Sequence, residues 1–162
     1  MKKKFVTILL ILIGFGSHAQ QRLPDLQVKS LSGKSVALNE MAVEGLTVFS
    51  FWATWCVPCI NELDAISDYY TDWQEETGVN LVAVSIDNAR SLSRVRPLVN
   101  SKMWQYEVLL DSNQHFMRAM NIVTVPYLIL VKDGEVVYSH SGYTPGFEEE
   151  LYEIIKEFSS KD

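Results

Sequence analysis

The chain has 162 residues, 48% of them hydrophobic, which suffices for one domain of ordinary size with a packed core. Its two cysteines exclude a multi-bridge disulfide scaffold. A formal net charge of -6 at pH 7 argues against nucleic acid or an anionic membrane as a main partner.

Lys2, Lys3 and Lys4, the apolar run Phe5 to Phe15 and the small residues through Ser17-His18-Ala19 read as a secretory signal. Residues 1–19 are assigned to that signal and residues 20–162 to one folded domain. The apolar run falls short of the ~20 residues that span a bilayer, so cleavage and export to the periplasm or beyond are expected, with an uncleaved anchor as the alternative. Loss of three lysines and no acidic residue would move the formal charge from -6 to -9.

Leu26 to Leu31 and Ser35 to Leu38 flank a turn at Ser32-Gly33-Lys34 and predict a β-hairpin ahead of the main domain. Leu46 to Trp52 is apolar enough for a central strand buried on both faces. After Cys56, the positions Cys59, Ile60, Leu63, Ile66, Tyr70 and Trp73 recur at helical spacing, with Pro58 in the first turn and Gly78 as the stop. Val79 to Ile86 completes a βαβ unit, which places Cys56 and Cys59 at the C-terminal end of a parallel strand, where open α/β sheets gather reactive groups.

Asp87 to Gln105 should be mostly helical around Leu92, Val95 and Val99, with Pro97 opening or kinking the helix. Glu107 to Leu110 predicts a short strand and Ser112 to Met120 another helix. Tyr127 to Val131 and Glu135 to Ser141 form a hairpin through Asp133-Gly134. Phe147, Leu151, Ile154, Ile155 and Phe158 line a closing helix, with Thr144 as its N-cap and Pro145 at its first position.

The motif, the strand at Pro126, the Asp133-Gly134 hairpin and the final helix together resemble thioredoxin-like proteins, for which Cys-x-x-Cys near a βαβ pattern is the signature. The N-terminal hairpin, the insertion after Ile86 and the signal look like the TlpA/ResA-like extracytoplasmic branch. The resemblance implies an α/β fold with a central mixed sheet flanked by helices, and a helical segment inserted after the second core strand. It further implies that Cys56 attacks, that Cys59 resolves, and that Pro126 is a cis-proline facing the disulfide. Val125 would offer its backbone to an extended substrate, and Glu62 matches an acidic residue near the active site of ResA-like members. Ser50 departs from the pattern by standing where thioredoxin has a buried aspartate, which leaves Glu62 as the nearer proton carrier.

The chemistry follows from the position of the thiol. A free cysteine near pKa 8.5 is mostly protonated at neutral pH, and a helix N-terminus stabilises the thiolate, bringing motif thiols to roughly 3.5 to 7.5. Cys56 would form a mixed disulfide that Cys59, one helical turn on, resolves. Glu62, three residues past Cys59, shares its helix face and could take its proton, unless it merely favours the helix start. Trp52 and Trp55 are read as part core and part rim, and Trp55, Val57 and Pro58 as substrate-facing.

Competing readings are a zinc half-site, which would want two further ligands that His18, His115 and His140 do not supply at ligand spacing, and two buried thiols. A peroxidase needs threonine where Ala53 stands. Arg90, Arg94 and Arg96 are read as a solvated helix face rather than a partner site. The expected activity is a monomeric reductase of extracytoplasmic protein disulfides, fed by a membrane thiol donor and using no cofactor beyond its own disulfide. An oxidant or isomerase, and a binding or chaperone module that senses redox state, are the alternatives; motif proteins span about -270 to -120 mV, so a potential would separate the directions.

Overall fold

The computed structural model describes residues 21–42 and 45–160, so the expected signal at residues 1–19 lies outside the described residues. Strands β1 (Gln27–Ser30) and β2 (Ser35–Ala37) pair antiparallel as the expected hairpin, and a short helix, α1 (Leu38–Met41), follows. Strand β3 (Leu46–Trp52) has all seven residues buried, as a β-branched and aromatic run covered on both faces should. Helix α2 (Val57–Thr77) begins at Cys56, carries Pro58 in its first turn and ends at Gly78. Gly78 takes a φ of 70° while its N–H donates to Gln74 O at 2.9 Å, closing the last turn.

Strand β4 (Asn80–Ser85) lies parallel to β3, with Phe49 beside Val82. The inserted segment is less helical than expected. A 3-10 turn (Leu92–Arg94) runs into α3 (Val95–Lys102), and Pro97 falls in the first turn, where its missing N–H is not needed, so it opens the helix rather than kinking it. Strand β5 (Glu107–Leu110) then adds parallel to β4. Helix α4 (His115–Ala119) starts three residues later than the pattern suggested, because Asp111 accepts from Met117 N–H at 2.9 Å and Gln114 turns left-handed at φ 55°.

Strand β6 (Tyr127–Lys132) runs antiparallel to β3, and β7 (Glu135–Ser141) returns beside it. Asp133 and Gly134, at φ 51° and 80°, make the turn with two left-handed residues that Asp-Gly favours. Helix α5 (Phe147–Ser159) corrects the expected start. Thr144 and Pro145 precede it, Gly146 is the N-cap, and Glu148 reaches back to accept the Gly146 N–H at 3.1 Å. Thr144 contributes its carbonyl, which accepts from Phe147 N–H at 3.1 Å, and not its side chain.

The seven strands form one mixed sheet in the order β2-β1-β5-β4-β3-β6-β7. Alternation along β3 sorts its side chains between two layers. Phe49 and Phe51 meet Phe116 of α4 at ring distances of 5.5 and 4.9 Å. Ser50 and Trp52 point to the opposite face, under α2, and Trp73 of α2 stacks on Tyr152 of α5 at 5.2 Å. Trp52 is wholly buried and meets Trp104 edge-on at 5.1 Å, so it is core and not rim.

Candidate active site

Where β3 ends, the chain makes one tight turn before α2. Cys56 N–H donates to Ala53 O at 3.0 Å, and Cys56 then caps the helix with extended backbone angles. Its carbonyl accepts from Ile60 N–H at 3.1 Å, the first helical bond. This geometry puts the Cys56 side chain among the unpaired N–H groups of the first turn. Cys56 and Cys59 form a disulfide with Cα atoms 5.3 Å apart, and they are 5% and 0% exposed.

The residues around this pair are open. Trp55 is 60% and Val57 65% exposed, and Pro58 is exposed as well. The Val125–Pro126 peptide is cis. Because Phe51 lies opposite Tyr127 in the antiparallel register, Pro126 is set beside the end of β3, at the same edge of the sheet as the cysteines. Pro126 is buried, with its carbonyl accepting from Gly142 N–H at 2.9 Å, while Val125 is half-buried. Val123, which sequence reasoning passed over, is 90% exposed just ahead of it.

Glu62 lies three residues past Cys59 on α2, on the same helix face, with no exposed surface. Its Oε2 accepts from the Ser50 hydroxyl at 2.8 Å, and its Oε1 has no hydrogen-bond partner. Burial pushes the carboxyl up from 4.5 to about 7, against the opposing pull of the Ser50 hydrogen bond. Ser50 and Glu62 are therefore one unit, and the departure at position 50 is matched by the carboxyl on the facing helix. A side chain that far out of water and only half partnered is poised between its two protonation states near neutral pH.

The inserted segment braces this helix from the side. Asp64 is paired with Lys102 and accepts from Trp104 Nε1 at 3.0 Å, and Tyr106 OH donates to Leu63 O at 3.0 Å. Tyr106 is raised well above the tyrosine range by burial first, then by the charges of Asp64 and Glu62. Arg90, Arg94 and Arg96 are exposed, but Arg96 also donates to Leu31 O and so ties α3 to the hairpin. His115 is exposed, and His140 stacks on Phe147 at 3.8 Å. A hollow of about 490 Å³ between α2 and α5, lined by Trp73, Glu76 and Tyr152 among others, lies several turns away from the cysteines.

Sequence reasoning also missed Asp87. It sits at the end of β4, wholly buried, and both oxygens are taken by donors from Thr54 and Ser85. Its one legible signal was a carboxylate directly after an apolar parallel strand, at the edge where the motif also lies.

Residues 19–156 match the AhpC/TSA family. The chain belongs to that family. Among AhpC/TSA relatives, sporulation thiol-disulfide oxidoreductase A of Bacillus subtilis is 25% identical over 97% of this chain and 99% of its own length. Thiol-disulfide oxidoreductase ResA of Halalkalibacterium halodurans is 31% identical over 86% of this chain and 78% of its own. The solution structure of a thioredoxin-like protein from Porphyromonas gingivalis, 45% identical, superposes with a TM-score of 0.75 over 86% of this chain and 92% of that one. With the Cys56–Cys59 pair at the head of α2, this AhpC/TSA member is a thiol-disulfide oxidoreductase of thioredoxin-like fold.

Proposed function

We propose that the protein is an exported, monomeric reductase of protein disulfides, charged by a membrane thiol donor. The observation that carries this reading is the buried, half-partnered Glu62 on the helix face it shares with Cys59 of the Cys56–Cys59 disulfide. In the reduced protein the Cys56 thiolate attacks a substrate disulfide. One substrate sulfur leaves as a thiolate and a Cys56–substrate disulfide forms. Cys59 then gives its proton to Glu62 and attacks the Cys56 sulfur, which releases the second substrate sulfur and closes the Cys56–Cys59 bond. Two electrons have moved to the substrate, and a dithiol donor returns them by the same exchange.

Among the described residues five large hydrophobic side chains are exposed, and Trp55, Val57 and Val123 are three of them. They supply an apolar rim for an extended polypeptide, with Val125 as its backbone partner beside Pro126. Among the described residues no helix is long and apolar enough to cross a membrane. The reading places the domain outside the cytoplasm on the strength of the signal-like residues 1–19, with either apocytochrome disulfides, which the resemblance to TlpA/ResA-like proteins suggests, or protein disulfides in general as the substrate class.

Cys59→Ala tests the reading by stalling the reaction on Cys56. Disulfide-linked partner proteins are expected on the trapped chain, and they should be absent when Cys56 is also replaced. Recovery of no linked partner from cells in which the wild-type protein is active would remove the enzymatic reading. A potential near the thioredoxin value of about -270 mV supports reduction, whereas one near about -120 mV reverses the direction.

A further inference from the structure

Three neutral donors converge on the buried carboxyl of Asp87. Thr54 gives it both a backbone N–H, to Oδ2 at 2.8 Å, and its hydroxyl, to Oδ1 at 2.6 Å. The Ser85 hydroxyl donates to Oδ2 at 2.9 Å, and the Asp87 N–H donates back to Ser85 Oγ at 3.2 Å. The proposed thiol-disulfide exchange uses none of these groups. Two of the three donors come from a residue 33 positions away in the chain. That residue stands two before Cys56, inside the turn that Cys56 N–H closes onto Ala53 O.

Two consequences follow for the thiol. Gripping Thr54 by main chain and side chain fixes the turn, and the turn fixes how the first N–H groups of α2 face the Cys56 sulfur. The carboxylate is also a charge near that sulfur. Two residues reach at most about 7 Å, so Asp87 lies within about 10 Å of the Cys56 backbone, across protein interior where like charge disfavours the thiolate. The helix terminus and Asp87 thus act on the same sulfur in opposite directions. Glu62, from α2, Arg94, which lines a surface hollow together with Thr54, and Asp111, buried at the end of β5 with its N–H donating to Ser85 O at 2.8 Å, are further charged or titratable groups near this region, and all three are the same in the wild type and in each variant.

We infer that Asp87 is a positioning residue for the redox pair: through Thr54 it locks the turn that presents Cys56, and its charge holds the pair toward the reducing end of the scale. The inference rests on the redox reading above. Asp87→Asn separates the two effects, because an amide oxygen at Oδ2 still accepts from Thr54 N–H and Ser85, while the amide nitrogen donates to Thr54 Oγ1. All three contacts survive and only the charge goes. Thr54→Val does the reverse by deleting one contact and leaving the charge, and Thr54→Ser restores the hydroxyl.

The readouts are the pH profile of iodoacetamide reaction at Cys56 in the reduced full-length chain, and the equilibrium of the Cys56–Cys59 pair with glutathione at about pH 8. Asp87→Asn should lower the Cys56 midpoint by about one unit and move the glutathione equilibrium about tenfold toward the dithiol, equivalent to about 30 mV. Thr54→Val should raise the midpoint, and Thr54→Ser should return it to the wild-type value. If the wild-type pair opens and closes reversibly while Asp87→Asn and Thr54→Val both overlay its two curves, the assignment of Asp87 is wrong. A wild-type pair that does not cycle would instead overturn the redox reading, whatever the variants do.

Discussion

Glu62 is where the acid-base behaviour of the site concentrates, and its raised value has a defined sign. In the proposed reaction it accepts the Cys59 proton and so must be ionised, which means closure of the mixed disulfide should quicken as pH rises through about 7. Glu62→Gln should slow that step by about 100-fold and remove the titration near 7, which single-turnover release of a model substrate would record. Stability runs the other way. A carboxyl whose value is higher folded than unfolded stabilises the fold fully below 4.5, and that contribution is lost as pH rises through about 7. Relative to Glu62→Gln, the oxidised wild type should lose about 3 kcal/mol between pH 4 and 8 in denaturant titrations. A flat difference would mean that burial does not perturb this group. Cys56, Cys59 and Glu62 were legible as residues because motif and helical spacing are local. The Ser50–Glu62 and Thr54–Asp87 contacts were not, because they join positions 12 and 33 apart, the first brought together by α2 packing back onto β3 and the second by the pairing of β3 with β4.

At the scale of elements, the strongest local patterns became β3, α2 and the β6–β7 hairpin, each set by one unbroken signal. The starts of α4 and α5 shifted because a side chain from outside the pattern reorganised the first turn, Asp111 in one case and Glu148 in the other. Gly78 makes the end of α2 testable. A Cβ there would meet nothing within 4 Å, so Gly78→Ala should cost only the left-handed backbone penalty, about 1 kcal/mol, and calorimetry should show a small drop in Tm. Phe116 is different in kind. It projects from α4, wholly buried, onto two phenylalanines of β3, so Phe116→Ala should destabilise by about 3 to 5 kcal/mol. The same denaturant titrations, run on the oxidised form, would measure it.

Across the whole molecule, the β1–β2 hairpin closes the sheet. Strand β1 pairs with β5 through Lys29 opposite Leu110, and Arg96 fastens the hairpin from α3. Deleting residues through Met41 would leave β5 as a bare edge next to the parallel core. Such a truncation should lower Tm and scatter light at concentrations where the intact chain stays clear. The hairpin was legible from alternating residues around the Gly33 turn, whereas its pairing with β5 depended on a connection no local pattern encodes.

The first described residues have their own place in this plan. Val136 N–H donates to Gln21 O at 2.8 Å, Leu23 N–H donates to Gly134 O at 3.0 Å, and Arg22 bridges to Glu135. These contacts gather at the Asp133-Gly134 turn, a full length of β6 away from Pro126, which is about 20 Å at ~3.3 Å per residue. A leader retained as a tether would leave from the pole opposite the reactive sulfurs. The sulfurs would then face away from the anchoring surface, toward soluble clients and toward a donor whose thiols project from the membrane.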